Sequence, residues 1–314
     1  MNRQDDPDQA RLRRIAHRTF TPRWVASMEG PSCGSPTSSS TLLTESRGRP
    51  RQQLCYPLPL LVILEMLGVP RGYQQDVRAW SATIEEFRDQ EVPDLDSLAV
   101  DAYRSFLRMV LEFVDLHVDE GRSAKQSGTL VDAVALGGMT KVELVSMFVL
   151  RLFARHVTTT NLISSGSTRS GTAARGSVCA DCRRWPGPWS RRHFASTSPS
   201  SSTPRTAREG YVLHGTDVGA GEAIRPVLGS ANRDEAEFEG PDCFDVGRSN
   251  NARQLAFGFG PYFCLGSALA RREGQEAFAT LTRRFPRVEL GGADLVRRPT
   301  GNLRGVAALP VRLA

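Results

Sequence analysis

One cysteine near the end of the chain lies in a glycine-rich loop, Phe257-Gly-Phe-Gly-Pro-Tyr-Phe-Cys-Leu-Gly266. Gly258 and Gly260 can adopt backbone conformations closed to other residues, so the chain can turn sharply and pass close to a flat macrocycle. Gly266 is expected to help shape the same loop. A cysteine thiolate held in this way can be the axial ligand of haem iron. The loop therefore predicts that Cys264 binds haem iron.

The residues that follow the loop must position this cysteine. Apolar residues recur at nearly helical steps across residues 267–285, which predicts a helix that begins just after Cys264. The free N–H groups and the positive end of a helix dipole favour a thiolate over a thiol. Phe257 and Phe263 are expected to cover the macrocycle. Thiolate ligation favours cleavage of an iron-bound O–O bond. The alternative interpretation is that Cys264 is a small buried side chain at a helix start and has no chemical role.

The loop pattern FGxGxxxCxG resembles the haem-binding loop of the cytochrome P-450 family. Upstream, residues 226–248 resemble the segment that leads into this loop in soluble bacterial members, although the usual histidine two residues before the cysteine is Tyr262. The resemblance implies a mainly α fold with a small β component. It also implies haem b (iron protoporphyrin), and a monooxygenase that inserts one oxygen atom of O₂ into an organic substrate. Electrons would come from a donor of the ferredoxin and ferredoxin reductase type.

Two arginines resemble family residues that bind the haem propionates. Residues 5–14 resemble the DPPDHxRxRR helix of the family; Arg13 keeps its arginine, and Gln9 stands where the family has histidine. Arg205 matches a second propionate-binding arginine, whereas the histidine just before the haem loop is Gln254. An arginine can bind a carboxylate through two parallel hydrogen bonds. Arg13 and Arg205 are therefore predicted to hold the propionates, the alternative being two solvated surface charges.

A third segment resembles the oxygen-binding helix of the family, whose core pattern is AGxETT. Residues 141–160 keep Ala154 and the hydroxyl of Thr158, but Arg155 replaces the glycine and Val157 replaces the acid. The resemblance implies that Thr158 is the catalytic residue that hydrogen-bonds iron-bound oxygen. A polar helix end is the alternative. Loss of the carboxylate that relays protons is expected to slow or uncouple turnover.

Two stretches interrupt the resemblance within what is predicted to be a single P-450-like domain over residues 1–314. In residues 30–53 and 164–204, Ser, Thr, Arg, Gly and Pro dominate, which predicts disordered or irregular chain. The Glu-x-x-Arg pair of the family is not found between residues 163 and 212. Because the resemblance disappears and returns abruptly, both stretches are interpreted as read out of frame. Two short strands around a glycine-rich turn are predicted near residues 211–228.

Composition limits the other function classes. The arginine-rich stretch 169–209 accounts for the whole net charge of +6, which leaves nucleic-acid binding as an alternative that irregular arginine spacing disfavours. Cys179 and Cys182 form a CxxC pair with no second pair for a zinc site. Six cysteines without regular spacing, in a sequence without a signal peptide, predict a cytoplasmic protein. The longest apolar run, residues 56–69, is too short to span a bilayer.

The chain opens almost at the helix that carries Arg13, whereas the resemblance implies further strands and helices before it. The sequence is therefore interpreted as truncated at its N-terminus, with an incomplete P-450 fold. This interpretation, together with Arg155, Val157 and the missing Glu-x-x-Arg pair, supports an alternative function. In that alternative the chain is an inactive or non-folding relic of a monooxygenase.

Overall fold

Helices dominate the computed structural model of the chain. It describes residues 5–18, 97–119, 138–173, 198–243, 248–284, 288–290, 302–306 and 311–313, and short pieces at 59–60, 64, 71–73, 75–77, 79–81 and 83. The α-helices whose bounds are defined are α1 (Asp8–Arg18), α2 (Ser97–Asp119), α3 (Lys141–Ala173), α4 (Leu228–Ala231) and α5 (Ser267–Arg284). Three single 3₁₀ turns lie at Arg71–Tyr73, Asn251–Arg253 and Gly260–Tyr262.

The β component is small, as predicted, and its described strands form three antiparallel pairs. The strands are β1 (Arg205–Thr206), β2 (Tyr211–Leu213), β3 (Thr216–Val218), β4 (Ala223–Ile224), β5 (Val288–Leu290) and β6 (Val311–Leu313). β1 pairs with β4, β2 with β3, and β5 with β6. The turn of the β2–β3 hairpin is His214-Gly215, with φ of 48° and 81°, which suits a tight two-residue hairpin. Two short strands around a turn that contains glycine, as predicted for residues 211–228, are thus present.

The core forms where α3 packs against α2 and α5. Helix α2 buries apolar side chains that recur at three- and four-residue steps, namely Phe106, Val110, Phe113 and Val114. The rings of Phe113 on α2 and Phe148 on α3 lie 5.9 Å apart in a tilted pair. Other buried residues of this cluster are Leu12, Ala16, Met109, Leu144, Met147, Leu152 and Leu269.

Helix α3 begins with a capping box, and the glutamate of this box also contacts α1. The backbone N–H of Thr140 donates to Glu143 Oε2 at 2.8 Å, and the backbone N–H of Glu143 donates to Thr140 Oγ1 at 3.2 Å. Arg11 on α1 forms an ion pair with the same Glu143 carboxylate and donates to the carbonyl of Gly138. The Arg11 hydrogen bond, aided by the Thr140 backbone, lowers the pKa of Glu143 from 4.5 to about 2.

Acid titration should reveal this link between α1 and α3. The folded pKa of Glu143 lies below the unfolded value, so its contribution is complete above pH 4.5 and is lost as the pH falls toward about 2. Because the Arg11 side chain is 40% exposed, solvent and salt will limit the effect. The measurement is the free energy of unfolding of wild type and Glu143→Gln across this window, with exposed Glu235→Gln as control. A difference that stays constant with pH would contradict the assignment.

The C-terminal end of α1 is held by α3 through a buried arginine. Arg151 donates from Nη2 to the carbonyl oxygen of Ala16 at 3.0 Å. The last carbonyls of a helix lack partners within the helix, so this bond satisfies one of them. Both ends of α1 are thus attached to the helix that carries Thr158.

The prediction of irregular chain over residues 164–204 is wrong for its first ten residues, because α3 continues to Ala173. Extending an existing helix adds one hydrogen bond for each residue fixed and needs no new nucleation, so an unfavourable composition can still be helical. Residues 198–204 carry no helix; they make a single bridge from Ser200 to Leu303 and bonds to Asn302. Residues 174–197 and 30–53 lie outside the described part.

Candidate haem-binding site

The glycine-rich loop turns as the sequence predicted. Gly258 and Gly260 have φ of 74° and 72°, values in the left-handed region that favours glycine. The backbone N–H of Cys264 donates to the carbonyl of Phe257 at 2.9 Å, which closes the loop on itself. The rings of Phe257 and Phe263 lie 6.3 Å apart at 56°, so both aromatic side chains stand beside the cysteine loop.

Cys264 lies just before α5, also as predicted. The backbone N–H of Ser267, the first residue of α5, donates to the carbonyl of Cys264 at 3.3 Å. The Cys264 side chain is exposed, so another group can reach its sulfur. A Cβ at Gly266 would stand 3.9 Å from Sγ, an ordinary contact, and the backbone N–H of Gly266 instead acts as a hydrogen-bond donor to this thiol. Gly266 therefore affects Cys264 mainly through its backbone amide, because an added Cβ at this position would make only an ordinary contact.

The prediction that the helix start favours a thiolate needs correction. Desolvation by the surrounding protein raises the pKa of Cys264, and this outweighs the opposing effects of the Gly266 amide, Arg13 and Arg271. Desolvation disfavours the anion of the sulfur. A coordinated metal ion removes the proton of a thiol. The free loop therefore favours the thiol, and metal binding is what would supply the anion.

Arg271, which sequence reasoning missed, is a cation near the cysteine. It lies on the second turn of α5, with its Cζ 4.6 Å from the ring centroid of Phe257. The charges of Arg13 and Arg271 both lower the pKa of Cys264. Helical spacing could have indicated this role, since residue 271 lies two turns beyond the cysteine.

Arg13 and Arg205 both reach the haem loop from other elements. Arg13 donates from Nη2 to the carbonyl of Phe263 at 2.6 Å. Arg205, on β1, has its Cζ 5.4 Å from the ring centroid of Tyr262 and donates to Thr203 Oγ1 at 2.6 Å. The structure thus brings the two arginines singled out in the sequence to neighbouring residues of one loop.

A cavity of about 660 Å³ lies between α1 and the haem loop. Its walls include Gly260 and Pro261 from the loop, and Arg13, Arg14 and His17 from α1. Asp6 also lines it, so the wall carries both signs of charge, with more basic than acidic side chains.

Thr158 lies within α3 and not at a helix end. Its Oγ1 donates to the carbonyl of Ala154 at 2.7 Å, and its side chain is half-buried. One turn later, Leu162 meets Gly274 of α5, where an added Cβ would lie 3.4 Å from Leu162 Cδ2. Thr158 therefore lies on a helix that packs against α5, the helix that begins just after Cys264. The side chains of Arg155 and Val157 lie outside the described part.

The chemistry of these residues suits a haem. An accessible sulfur is a soft donor for iron, and the two phenylalanine rings offer apolar surface to a macrocycle. Three arginines, Arg13, Arg205 and Arg271, lie at or beside the loop, and guanidinium groups suit carboxylates.

For the other kinds of site considered from the sequence, the described residues provide no supporting arrangement. Among the described residues, no group of three or more His, Cys, Asp and Glu side chains could hold a metal ion. Cys179 and Cys182, with the stretch around them, lie outside that part. No described helix combines the length and apolar character that crossing a membrane requires.

Known proteins with similar sequence and structure share one family. The family model Cytochrome P450 matches residues 194–308. A cytochrome P450 of Bacillus subtilis is 31% identical over 98% of this chain and 75% of its own length. The polyketide biosynthesis cytochrome P450 PksS of the same organism is 30% identical, covering 99% of this chain and 76% of that protein.

Solved structures agree with the sequence comparison. The PksS structure superposes with a TM-score of 0.85 at 30% identity, covering 99% of this chain and 80% of that one. The structure of P450BioI in complex with a fatty-acyl carrier protein gives the same TM-score, identity and coverage. The predicted mainly α P-450-like fold is confirmed. The chain therefore belongs to the cytochrome P450 family, whose members are haem-thiolate monooxygenases.

Proposed function

We propose that this chain binds haem b through Cys264 and inserts one oxygen atom of O₂ into an organic substrate. The observation that carries the proposal is the accessible sulfur of Cys264 in its glycine loop, with Arg13 and Arg205 at the same loop. A haem offers one metal and two carboxylates, and these residues supply one thiol and two guanidinium groups.

Arg13 and Arg205 are proposed to hold the haem carboxylates. A guanidinium group has five N–H donors in a fixed fork. Arg13 can therefore keep its bond to the Phe263 carbonyl and still bind a carboxylate with its other nitrogen atoms. Phe257 and Phe263 would cover the macrocycle, and Gly258, Gly260 and Gly266 would allow the loop to approach it.

When bound, haem iron supplies the activation of O₂. Thr158 is proposed to contribute a hydroxyl at the oxygen site. In the present rotamer its proton is directed to the Ala154 carbonyl, so the oxygen atom can accept a hydrogen bond from water. Rotation about χ1 would release this proton from the Ala154 carbonyl and make it available as a hydrogen-bond donor. Thr158 would thereby orient protons for the reaction, a role that fits a chain with valine at the position of the family's acid.

An acidic ferredoxin-type donor is proposed to approach from the side of the loop that faces α1. The cavity there carries Arg13, Arg14 and His17 against Asp6. Complementary charge accelerates encounter and fixes orientation more than it adds affinity. We further propose that the protein works in the cytoplasm, where such donors are kept reduced.

The substrate is proposed only as an organic molecule. The similar proteins differ in their molecular context: PksS is the cytochrome P450 of a bacillaene polyketide synthase, P450BioI was solved with an acyl carrier protein ligated with hexadec-9Z-enoic acid, and CYP109E1 was solved with testosterone. This variety fits proteins that share the cysteine loop and the oxygen-binding helix but contact their substrates through other residues.

Carbon monoxide binding tests the proposal directly. Purified chain reconstituted with haem, reduced and treated with carbon monoxide should show the Soret band typical of thiolate-ligated haem. Isotopically labelled O₂, supplied with a ferredoxin and its reductase, should then transfer one labelled atom to an accepted substrate. Failure to bind haem after refolding with excess cofactor would favour the inactive relic. Retention on DNA that falls steeply with salt would favour the nucleic-acid alternative.

A further inference from the structure

Three side chains at one-turn spacing connect α1 to the haem loop. Asp5, Gln9 and Arg13 are four residues apart, and the backbone N–H of Gln9 donates to the Asp5 carbonyl at 3.0 Å, so all three face the same side. Each meets one of three consecutive loop residues. The contacts are Tyr262 Oη to Asp5 Oδ1 (3.0 Å), Gln9 Nε2 to the Pro261 carbonyl (3.1 Å) and Arg13 Nη2 to the Phe263 carbonyl (2.6 Å).

Tyr262 differs from its two neighbours in what it contributes. Pro261 and Phe263 offer backbone carbonyls, which other residue types would also offer. Tyr262 uses its side chain twice, because its hydroxyl donates to Asp5 while its ring faces the guanidinium of Arg205 at 5.4 Å. Changing this side chain would therefore loosen both contacts together.

We propose that Tyr262 is a positioning residue of the haem site. Its hydroxyl fastens the loop that carries Cys264 to Asp5, three residues before the start of α1, and its ring keeps Arg205 beside that loop. Both Gln9 and Tyr262 stand at positions where the family resemblance has histidine, and both are engaged here with protein groups. The loop is thus held by direct contacts between protein elements. The inference rests on the proposed haem binding at Cys264.

The experiment compares how fast haem leaves the holoprotein for an excess of apomyoglobin. Tyr262→Phe keeps the ring and removes the hydroxyl, so haem loss should accelerate about three- to tenfold, the range expected for one hydrogen bond to a charged group that is partly exposed. Tyr262→Leu also removes the ring and should accelerate it further. Asp5→Ala should match Tyr262→Phe, and the double variant should be no faster than either. Tyr211→Phe, which removes the hydroxyl of an exposed tyrosine on β2, is the matched control.

A spectroscopic readout separates positioning from general stability. In Tyr262→Phe, the fraction of the reduced carbon monoxide complex with the thiolate-type Soret band should fall, while the unfolding temperature of the protein without haem stays that of Tyr211→Phe. Haem loss and spectrum at wild-type values in Tyr262→Phe would overturn the proposal. So would a fully additive double variant, because Asp5 and Tyr262 would then act separately.

Hydrogen exchange tests the contact even if no haem binds. In the chain without haem, peptides covering residues 257–266 should exchange faster in Tyr262→Phe and Asp5→Ala than in wild type or Tyr211→Phe. Unchanged exchange would overturn the proposal. If wild type binds no haem but this difference is seen, the proposed function fails while the attachment of the loop by Tyr262 stands.

Discussion

Replacing Cys264 with serine is expected to abolish the thiolate-type Soret band of the reduced carbon monoxide complex and to remove monooxygenase activity. A serine hydroxyl is a hard, weakly acidic donor that cannot supply the electron density of a thiolate to iron. The remaining contacts of the loop do not depend on sulfur: the Cys264 backbone N–H bond to Phe257 and the turn into α5 use backbone atoms. The fold should therefore survive, and the spectrum should change.

Cys243→Ser provides the matched control, since Cys243 is an exposed cysteine outside the loop. This variant should keep the wild-type spectrum and activity. Absorbance and ligand-induced shifts in Cys264→Ser that equal those of Cys243→Ser would show that another group binds the iron. The proposed function would then lose the residue on which it depends.

The second large effect is expected at Thr158. Positioned proton transfer contributes about 10²–10⁴-fold to enzymatic rates, and this chain has valine where the family has its relay acid. Thr158→Ala should therefore lower the product formed per electron consumed by roughly tenfold or more, with hydrogen peroxide accounting for the difference. The measurement compares the amounts of product and hydrogen peroxide formed with the amount of reduced electron donor consumed.

Two further variants separate the hydroxyl of Thr158 from its shape. Thr158→Ser keeps a hydroxyl that can donate to Ala154, so coupling should stay close to wild type. Thr158→Val keeps the branched shape without the hydroxyl and should resemble Thr158→Ala. Equal coupling in all four proteins would mean that this threonine serves only as a helix residue.

The predictions that the structure confirms were based on short-range patterns in the sequence. Gly258 and Gly260 adopt positive φ because the turn itself demands it, and α5 begins after Cys264 because the apolar spacing starts there. Each of these features depends on residues within a few positions of one another, which is the range over which sequence patterns are informative.

Features that depend on distant residues were missed. The raised pKa of Cys264 comes first from enclosure by the folded protein, which no local pattern reports. The spacing of Asp5, Gln9 and Arg13 shows that they share a face, but not that this face meets the haem loop. The roles proposed for Thr158, Arg13 and Arg205 remain predictions.

The bond from Gln9 to Pro261 joins residues 252 positions apart, and this separation bears on biosynthesis. At synthesis rates of about 5–20 residues per second, roughly 13–50 s pass between the emergence of these two residues from the ribosome. During that time the loop residues that α1 contacts have not yet been synthesised. If haem binds at Cys264 as proposed, cofactor loading must wait until translation of the haem loop is complete, and a polypeptide released before that point could not retain iron protoporphyrin.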